Sequence, residues 1–169
     1  MSSRFAPSPS AELKRLEPLI GRWKTRAQTR HTFLGPSVPV TSVEEFYWLE
    51  GGHFLVQTYH TAFGDEPAQN GINYWFYDAE AKKFRIIFFS NNGPFTEDGN
   101  RYDGEIAGRT LTFVGPARFQ YDLDASGKVK TNDDATVTIR WWLRDERGEF
   151  KPWMTNVFRR EDAEEPVSA

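Results

Sequence analysis

The sequence predicts an all-β domain of about ten antiparallel strands behind one short helix. Three observations carry this. From Trp23 onward, β-branched and aromatic residues gather in runs of about five to ten, broken by clusters of Gly, Asp, Asn and Pro. A single stretch ahead of those runs has apolar residues at helical spacing. Several connections are short and carry glycine, so successive strands pair as hairpins. Such a meander either closes into a barrel or splits into a sandwich, because an open sheet leaves two edges unpaired.

The elements follow in order. Residues 1–7 read as a flexible N-terminal arm. Ser8 offers a capping side chain, and Pro9 suits the first helical position. Leu13, Leu16 and Ile20 then recur near helical spacing, while Pro18 and Gly21 hold the helix to a few turns. The expected product is an amphipathic plug with its leucines against the sheet. The strand candidates are Arg22–Phe33, Val40–Glu50, His53–Phe63, Gly71–Asp78, Lys83–Ser90, Arg101–Ile106, Thr110–Gly115, Arg118–Leu123, Thr136–Asp145 and Glu149–Arg160. Glu50-Gly51-Gly52-His53, Ala107-Gly108-Arg109 and Asp145-Glu146-Arg147-Gly148 are turns in which glycine takes positive φ. Residues 8–160 thus form one domain, and 161–169 an acidic C-terminal tail expected to be solvated and frayed.

Composition narrows the function. At 169 residues, with six Trp, six Tyr and fourteen Phe, the chain can bury a real core. Its longest apolar runs, such as Ile86–Phe89, fall far short of the roughly 18 residues of a membrane-spanning helix, so no membrane insertion is expected. A net charge of −3 without a basic stretch argues against nucleic acid. The absence of cysteine removes disulfide and thiolate chemistry. Met1–Ser10 holds no apolar signal segment, and a cytoplasmic location is expected. His31, His53 and His60 fall on different strands or strand ends without metal-ligand spacing, so neither a metal nor a tightly held cofactor is expected.

Leu16-Glu17-Pro18-Leu19-Ile20-Gly21-Arg22-Trp23 runs a short helix into Gly-x-Trp at the first strand. This resembles the opening of calycin-type barrels: the lipocalin, fatty-acid-binding and nitrobindin-like proteins. Four features follow in order: Trp48-Leu49-Glu50-Gly51-Gly52-His53-Phe54-Leu55, Tyr77-Asp78 closing a strand, Ser90-Asn91-Asn92-Gly93, and a late arginine, Arg159 or Arg160. Together they resemble a bacterial lipocalin-like family, domain of unknown function 1579, from about Leu13 to Arg160. The resemblance implies a ten-stranded calycin-like barrel with a small-molecule cavity. It also implies that Trp23 seals the closed end beneath the terminal arginine, a cation–π contact of about 0.5–2 kcal/mol. Nitrobindin-like relatives ligate haem through a late histidine, and this chain has none after His60.

Hairpin arithmetic places the candidate site residues. A two-residue Gly51-Gly52 turn sets Tyr47 opposite Val56, Glu45 opposite Thr58 and Val43 opposite His60. Glu45, Tyr47, Thr58 and His60 then share a face, with Glu45 and His60 diagonal neighbours. A carboxylate holding an imidazole is how a general base is built. A cofactor-independent isomerase, cyclase or hydrolase would use His60 as base, Glu45 as its orienter and Tyr47 or Tyr59 as acid. The plainer reading is an ion pair on a solvated face.

A second hairpin sets Tyr77 opposite Phe84, so Asn73, Trp75, Tyr77, Phe84, Ile86 and Phe88 share a face opposite Arg85. That set suits the lining for a small apolar or aromatic ligand. The competing expectation is a barrel packed solid by the same rings. Asn91 and Asn92 are the chosen polar rim contacts, in a loop that no helix follows to make a phosphate cradle. Near the carboxyl end, Val137, Ile139, Trp141 and Leu143 form the natural interior set. That leaves Trp142 and Trp153 as an exposed patch on which a homodimer would form, giving an interaction module. With the opposite parity, Arg140 and Trp142 would enter the cavity and hold an acidic aromatic ligand.

Overall fold

The computed structural model describes residues 8–162. A nine-residue 3₁₀ helix, Ala11–Leu19, precedes ten strands. They are β1 (Gly21–Gln28), β2 (Pro39–Trp48), β3 (Leu55–Phe63), β4 (Gln69–Asp78), β5 (Lys83–Ser90), β6 (Arg101–Ala107), β7 (Thr110–Val114), β8 (Ala117–Asp122), β9 (Val137–Arg144) and β10 (Phe150–Arg160). Each strand pairs antiparallel with its chain neighbours, and β1 pairs with β10, so the sheet is a closed barrel in chain order. The closing register, Trp23↔Arg160, Lys24↔Arg159 and Thr25↔Phe158, decides barrel over sandwich.

The helix is 3₁₀ because of its leucines. Leu13, Leu16 and Leu19 are buried and three residues apart, and three residues per turn stacks them on one stripe. Ile20 instead ends the helix, its N–H bonded to Glu17 O at 3.0 Å. The capping side chain is Ser10, not Ser8, and accepts from Glu12 N–H at 3.3 Å. Pro9 lies outside the helix, packed toward Gly52.

This helix seals one end of the barrel over Trp23, whose indole N–H donates to Leu19 O at 2.7 Å. The Arg160 guanidinium lies 4.1 Å from the Trp23 ring centroid and donates to the carbonyls of Pro18 and Ile20. Gly21 must be glycine: its φ is +126°, and a Cβ there would collide with Arg160 Nη1. Arg159 points outward to Asp134 at 3.6 Å, so of the two arginines only Arg160 clasps the closed end.

Most strand ends fall within two residues of expectation, and three differences are structural. β1 stops at Gln28, and residues 29–38 form a rim loop in which Thr32 and Gly35 exchange hydrogen bonds at 3.0 Å. The β2–β3 connection is a four-residue loop, Glu50 to His53, with Gly52 N–H on Leu49 O at 2.9 Å. Because the loop is symmetric about the same point, Tyr47↔Val56, Glu45↔Thr58 and Val43↔His60 pair as the shorter turn predicts. Glu161 extends the β1–β10 seam through its N–H to Arg22 O at 3.0 Å, and its carboxylate meets the Arg22 guanidinium. The expected arm at 1–7 and the tail at 163–169 lie outside the described residues. No described helix is long and apolar enough to cross a membrane.

Candidate functional site

Strand alternation sorts the side chains of β4 and β5 into two sets. Trp75, Phe84 and Ile86 are buried inside, while Arg85 lies outside between Asp78 and Asp103, at 2.9 and 3.3 Å. The lower interior is filled: Phe84 and Phe113 pack beneath the helix with Leu13, Leu16 and Leu19. Above that layer, towards the open end, the barrel holds a cavity of about 300 Å³. The barrel is therefore not packed solid.

The cavity walls are mostly rings. Phe119 stacks on Trp141 at 4.5 Å, Phe63 stacks on Trp153 at 5.5 Å, and Trp75 meets Tyr121 edge-on at 6.3 Å. Asn73, Trp75, Ile86, Phe88 and Trp141 line it. Tyr77 and Phe84 do not: they pack on each other at 5.1 Å towards the plugged end, because β4 and β5 run past the cavity floor to the helix. Asn91 is a latch rather than a lining residue. Its Oδ1 accepts from Asn70 N–H at 2.8 Å and its Nδ2 donates to Ala68 O at 3.1 Å, while Asn92 reaches the cavity rim.

The Glu45–His60 constellation is not formed. Both side chains point outward, as their shared face requires, but Glu45 lies 3.8 Å from Arg22, and exposed His60 donates from Nδ1 to Asn70 Oδ1. Tyr47 stands exposed beside them, whereas Tyr59 lies on the opposite face and lines the cavity. The catalytic arrangement and the direct Glu–His ion pair are both replaced by two separate surface contacts.

The inward carboxylate is one residue earlier. Glu44 is buried opposite Tyr59, its Oε1 accepting from Ser42 Oγ–H at 3.0 Å and its Oε2 from Gln57 Nε2 at 2.6 Å. Gln57 Oε1 in turn accepts from Asn73 Nδ2 at 2.7 Å and Trp75 Nε1 at 3.0 Å. Burial pushes the Glu44 carboxyl up to about 7, against the opposing pull of its Gln57 and Ser42 hydrogen bonds. Burial likewise raises the Tyr59 and Tyr121 phenols, and takes Tyr102 to about 12. Three further cavity-lining polar atoms, Asn73 Oδ1, Asn156 Oδ1 and Trp141 Nε1, are buried without a hydrogen-bond partner in the protein.

The tryptophan patch is corrected as well. A bulge between Pro152 and Met154 lets Trp153 turn into the cavity mouth, edge-on to Trp141 at 6.5 Å. Trp142 stays outside, paired with Pro152 and covered by the Arg118 guanidinium 4.4 Å from its ring centroid. The two rings do not share a face, so the surface expected to pair two copies is not formed. Arg140 is outside too, held by Asp122 at 2.6 and 3.1 Å, which removes the acidic-ligand alternative. Among the described residues, no three His, Asp or Glu side chains converge as metal ligands.

Glu44, Gln57, Tyr121 and Asn156 were not among the sequence candidates. A signal for the first two existed. Glu44 and Phe46 share the parity of Trp48, and the interior set Asn73/Trp75 continues across β3 through Asn73↔Gln57 and Leu55↔Trp75. Linking them needs the β3–β4 register, which the five-residue connection at residues 64–68 does not dictate as a two-residue turn would.

A closed antiparallel barrel, plugged at one end by a short helix and hollow at the other, defines a calycin-like barrel protein. The chain belongs to the family described as protein of unknown function DUF1579, whose model matches residues 8–160. No curated protein matches it. Among solved structures it is similar to Rv2717c from M. tuberculosis, at 13% identity and a TM-score of 0.57 over 91% of this chain and 99% of that one. That likeness shows the fold. It is also similar to the S-type phycobiliprotein lyase CPES from Guillardia theta, at 10% identity and a TM-score of 0.48 over 88% and 91% of the two chains.

Proposed function

We propose that this barrel binds one small, largely aromatic molecule in its open-ended cavity. The observation that carries the reading is a ring-lined hollow of about 300 Å³ holding three buried polar atoms with no partner in the protein. Leaving a buried donor or acceptor unmet costs about 1–3 kcal/mol each. A core selected only for stability would fill the space with carbon and carry no such groups. The volume sits at the lower end of ligand pockets, which span roughly 300–1,000 Å³, so the occupant has one or two rings. Trp141 N–H asks it for an acceptor, and Asn73 and Asn156 ask for donors.

Calorimetric titration with 2-naphthylmethanol tests this, using wild type and Ala117→Phe, a substitution that projects a ring from the cavity wall. The expected result is one-to-one binding by wild type and none by the variant, whose circular dichroism stays that of the wild type. Absence of binding to wild type, or equal binding by a folded A117F, would overturn the proposal.

A further inference from the structure

The cavity is chemically one-sided. Among the described residues that line it there is no Arg, Lys, His or Asp, and Glu44 is the single side chain that carries a charge near neutral pH. The remaining titratable lining groups are the phenols of Tyr59, Tyr102 and Tyr121, all shifted upward by burial and therefore neutral there. Among the described residues that line the cavity, nothing positive answers the carboxylate.

The carboxylate is also held in place. Trp75 and Asn73 both donate to Gln57 Oε1, which fixes the amide so that its Nε2 points at Glu44. Ser42 holds the other oxygen and is itself hydrogen-bonded to Thr61 Oγ1 at 2.7 Å. Each Glu44 oxygen has then met one donor and keeps further acceptor capacity. Asn73 has spent an amide hydrogen on Gln57, and its Oδ1 remains free, as does that of Asn156. Of the three unpartnered polar atoms two are acceptors, Asn73 Oδ1 and Asn156 Oδ1, and one is a donor, the Trp141 indole N–H; with them the cavity holds one negative charge, and the walls offer the faces of Trp, Tyr and Phe rings. Acceptors, an anion and aromatic faces together are what an organic ammonium group meets well, since it brings several N–H donors and a charge that rings attract.

From this geometry we infer that the ligand class is a small aromatic or apolar amine bound as its cation, with Glu44 as the receiving group. The inference rests on the cavity-binding reading above and adds the charge of the ligand. It also explains why an acid is retained in an aromatic core. Without a counter-charge, burial leaves Glu44 about half protonated near pH 7. An ammonium beside it favours the ionised form and drives that proton out. Amine binding is thus accompanied by proton release, and it tightens as pH rises through the Glu44 range while the amine stays protonated. The groups facing Glu44 are Trp23 and Thr25 on β1 and Gln57 and Tyr59 on β3, with Tyr121 on β8 interacting from across the barrel, so among the described residues no other group that titrates near neutrality competes for the assignment.

The test is a set of three isosteric probes, 2-naphthylmethylamine, 2-naphthylmethanol and 2-naphthoate, titrated calorimetrically into wild type and Glu44→Gln. Each titration is run at pH 7 in two buffers of different ionisation enthalpy. The amine is expected to bind wild type roughly tenfold or more tighter than the alcohol, with the carboxylate weakest. It should release about half a proton per molecule bound, and the alcohol none. E44Q should bind the amine no more tightly than the alcohol and release no proton on binding it. Alcohol binding as tight as the amine, no proton release, or an amine preference that survives in E44Q would each overturn the inference while leaving the cavity reading intact. If E44Q does not fold, the wild-type affinity order and proton release decide it. Failure of all three probes to bind wild type would remove the cavity reading, and this inference with it.

Discussion

Glu44 and Glu45 are adjacent in the chain and opposite in consequence, because each step along a strand reverses the face. The Glu45 carboxylate meets water and Arg22; the Glu44 carboxyl meets Gln57, Ser42 and an aromatic interior. The difference should be measurable as stability against pH. The Glu44 carboxyl rises from 4.5 to about 7 on folding, so between those values the native state holds a proton that the unfolded chain has lost. Its contribution to stability therefore falls as pH climbs from about 4.5 to 7 and is level above that. Urea unfolding of wild type and E44Q should diverge by about 3 kcal/mol between pH 4.5 and 8, in favour of the variant at the higher pH. A parallel pair of curves would show that the carboxyl is not desolvated. His60 provides the contrast: being exposed, His60→Ala should change unfolding free energy by less than about 0.5 kcal/mol and leave 2-naphthylmethanol binding unaltered.

At the scale of elements, the 3₁₀ helix is held by packing more than by its own hydrogen bonds. It is nine residues long and includes Pro18, so its stability as an isolated segment is negligible. What fixes it is the leucine stripe below and the Arg160 clasp across its end. Leu16→Ala should cost about 2–5 kcal/mol, read as a lowered urea midpoint. Arg160→Ala should cost about 2–4 kcal/mol, from the lost cation–π contact and the Pro18 and Ile20 carbonyls left without their donor. Arg160→Lys should recover less than half of that, since an ammonium cannot reproduce the fork over both carbonyls. Full recovery by lysine would reduce the clasp to a charge effect. That a late arginine meets Trp23 was legible through the resemblance alone; which of Arg159 and Arg160 does so depends on strand parity at the closing seam.

For the molecule as a whole, closure of β1 on β10 gives both an absence of sheet edges and the hollow they enclose. A ligand in that hollow binds the folded chain only, so it stabilises by mass action. At about 100 times its Kd, 2-naphthylmethylamine should add about 2.7 kcal/mol, which for a domain of this size raises Tm by roughly 5–10 °C. Ala117→Phe should show no such rise. A similar rise in both proteins would locate the bound molecule outside the cavity.

Strand number, the hairpin order of the meander and the registers of the β2–β3 and β4–β5 hairpins were determined by the sequence itself, because alternation and short turns are local and act over a few residues. The pairs Tyr47↔Val56 and Tyr77↔Phe84 follow from turns alone. What the tertiary structure decided depends on contacts between distant segments. The β3–β4 register carried the interior face from Asn73 to Gln57 and Glu44, and a bulge at Trp153 reversed one ring at the cavity mouth. The level of the plug beneath Trp75 then separated the lining residues from Tyr77 and Phe84. A bulge, or a register set across a connection longer than a two-residue turn, shifts side chains by a whole face at little local cost, so no short window of residues encodes it, and the packed barrel selects among the alternatives.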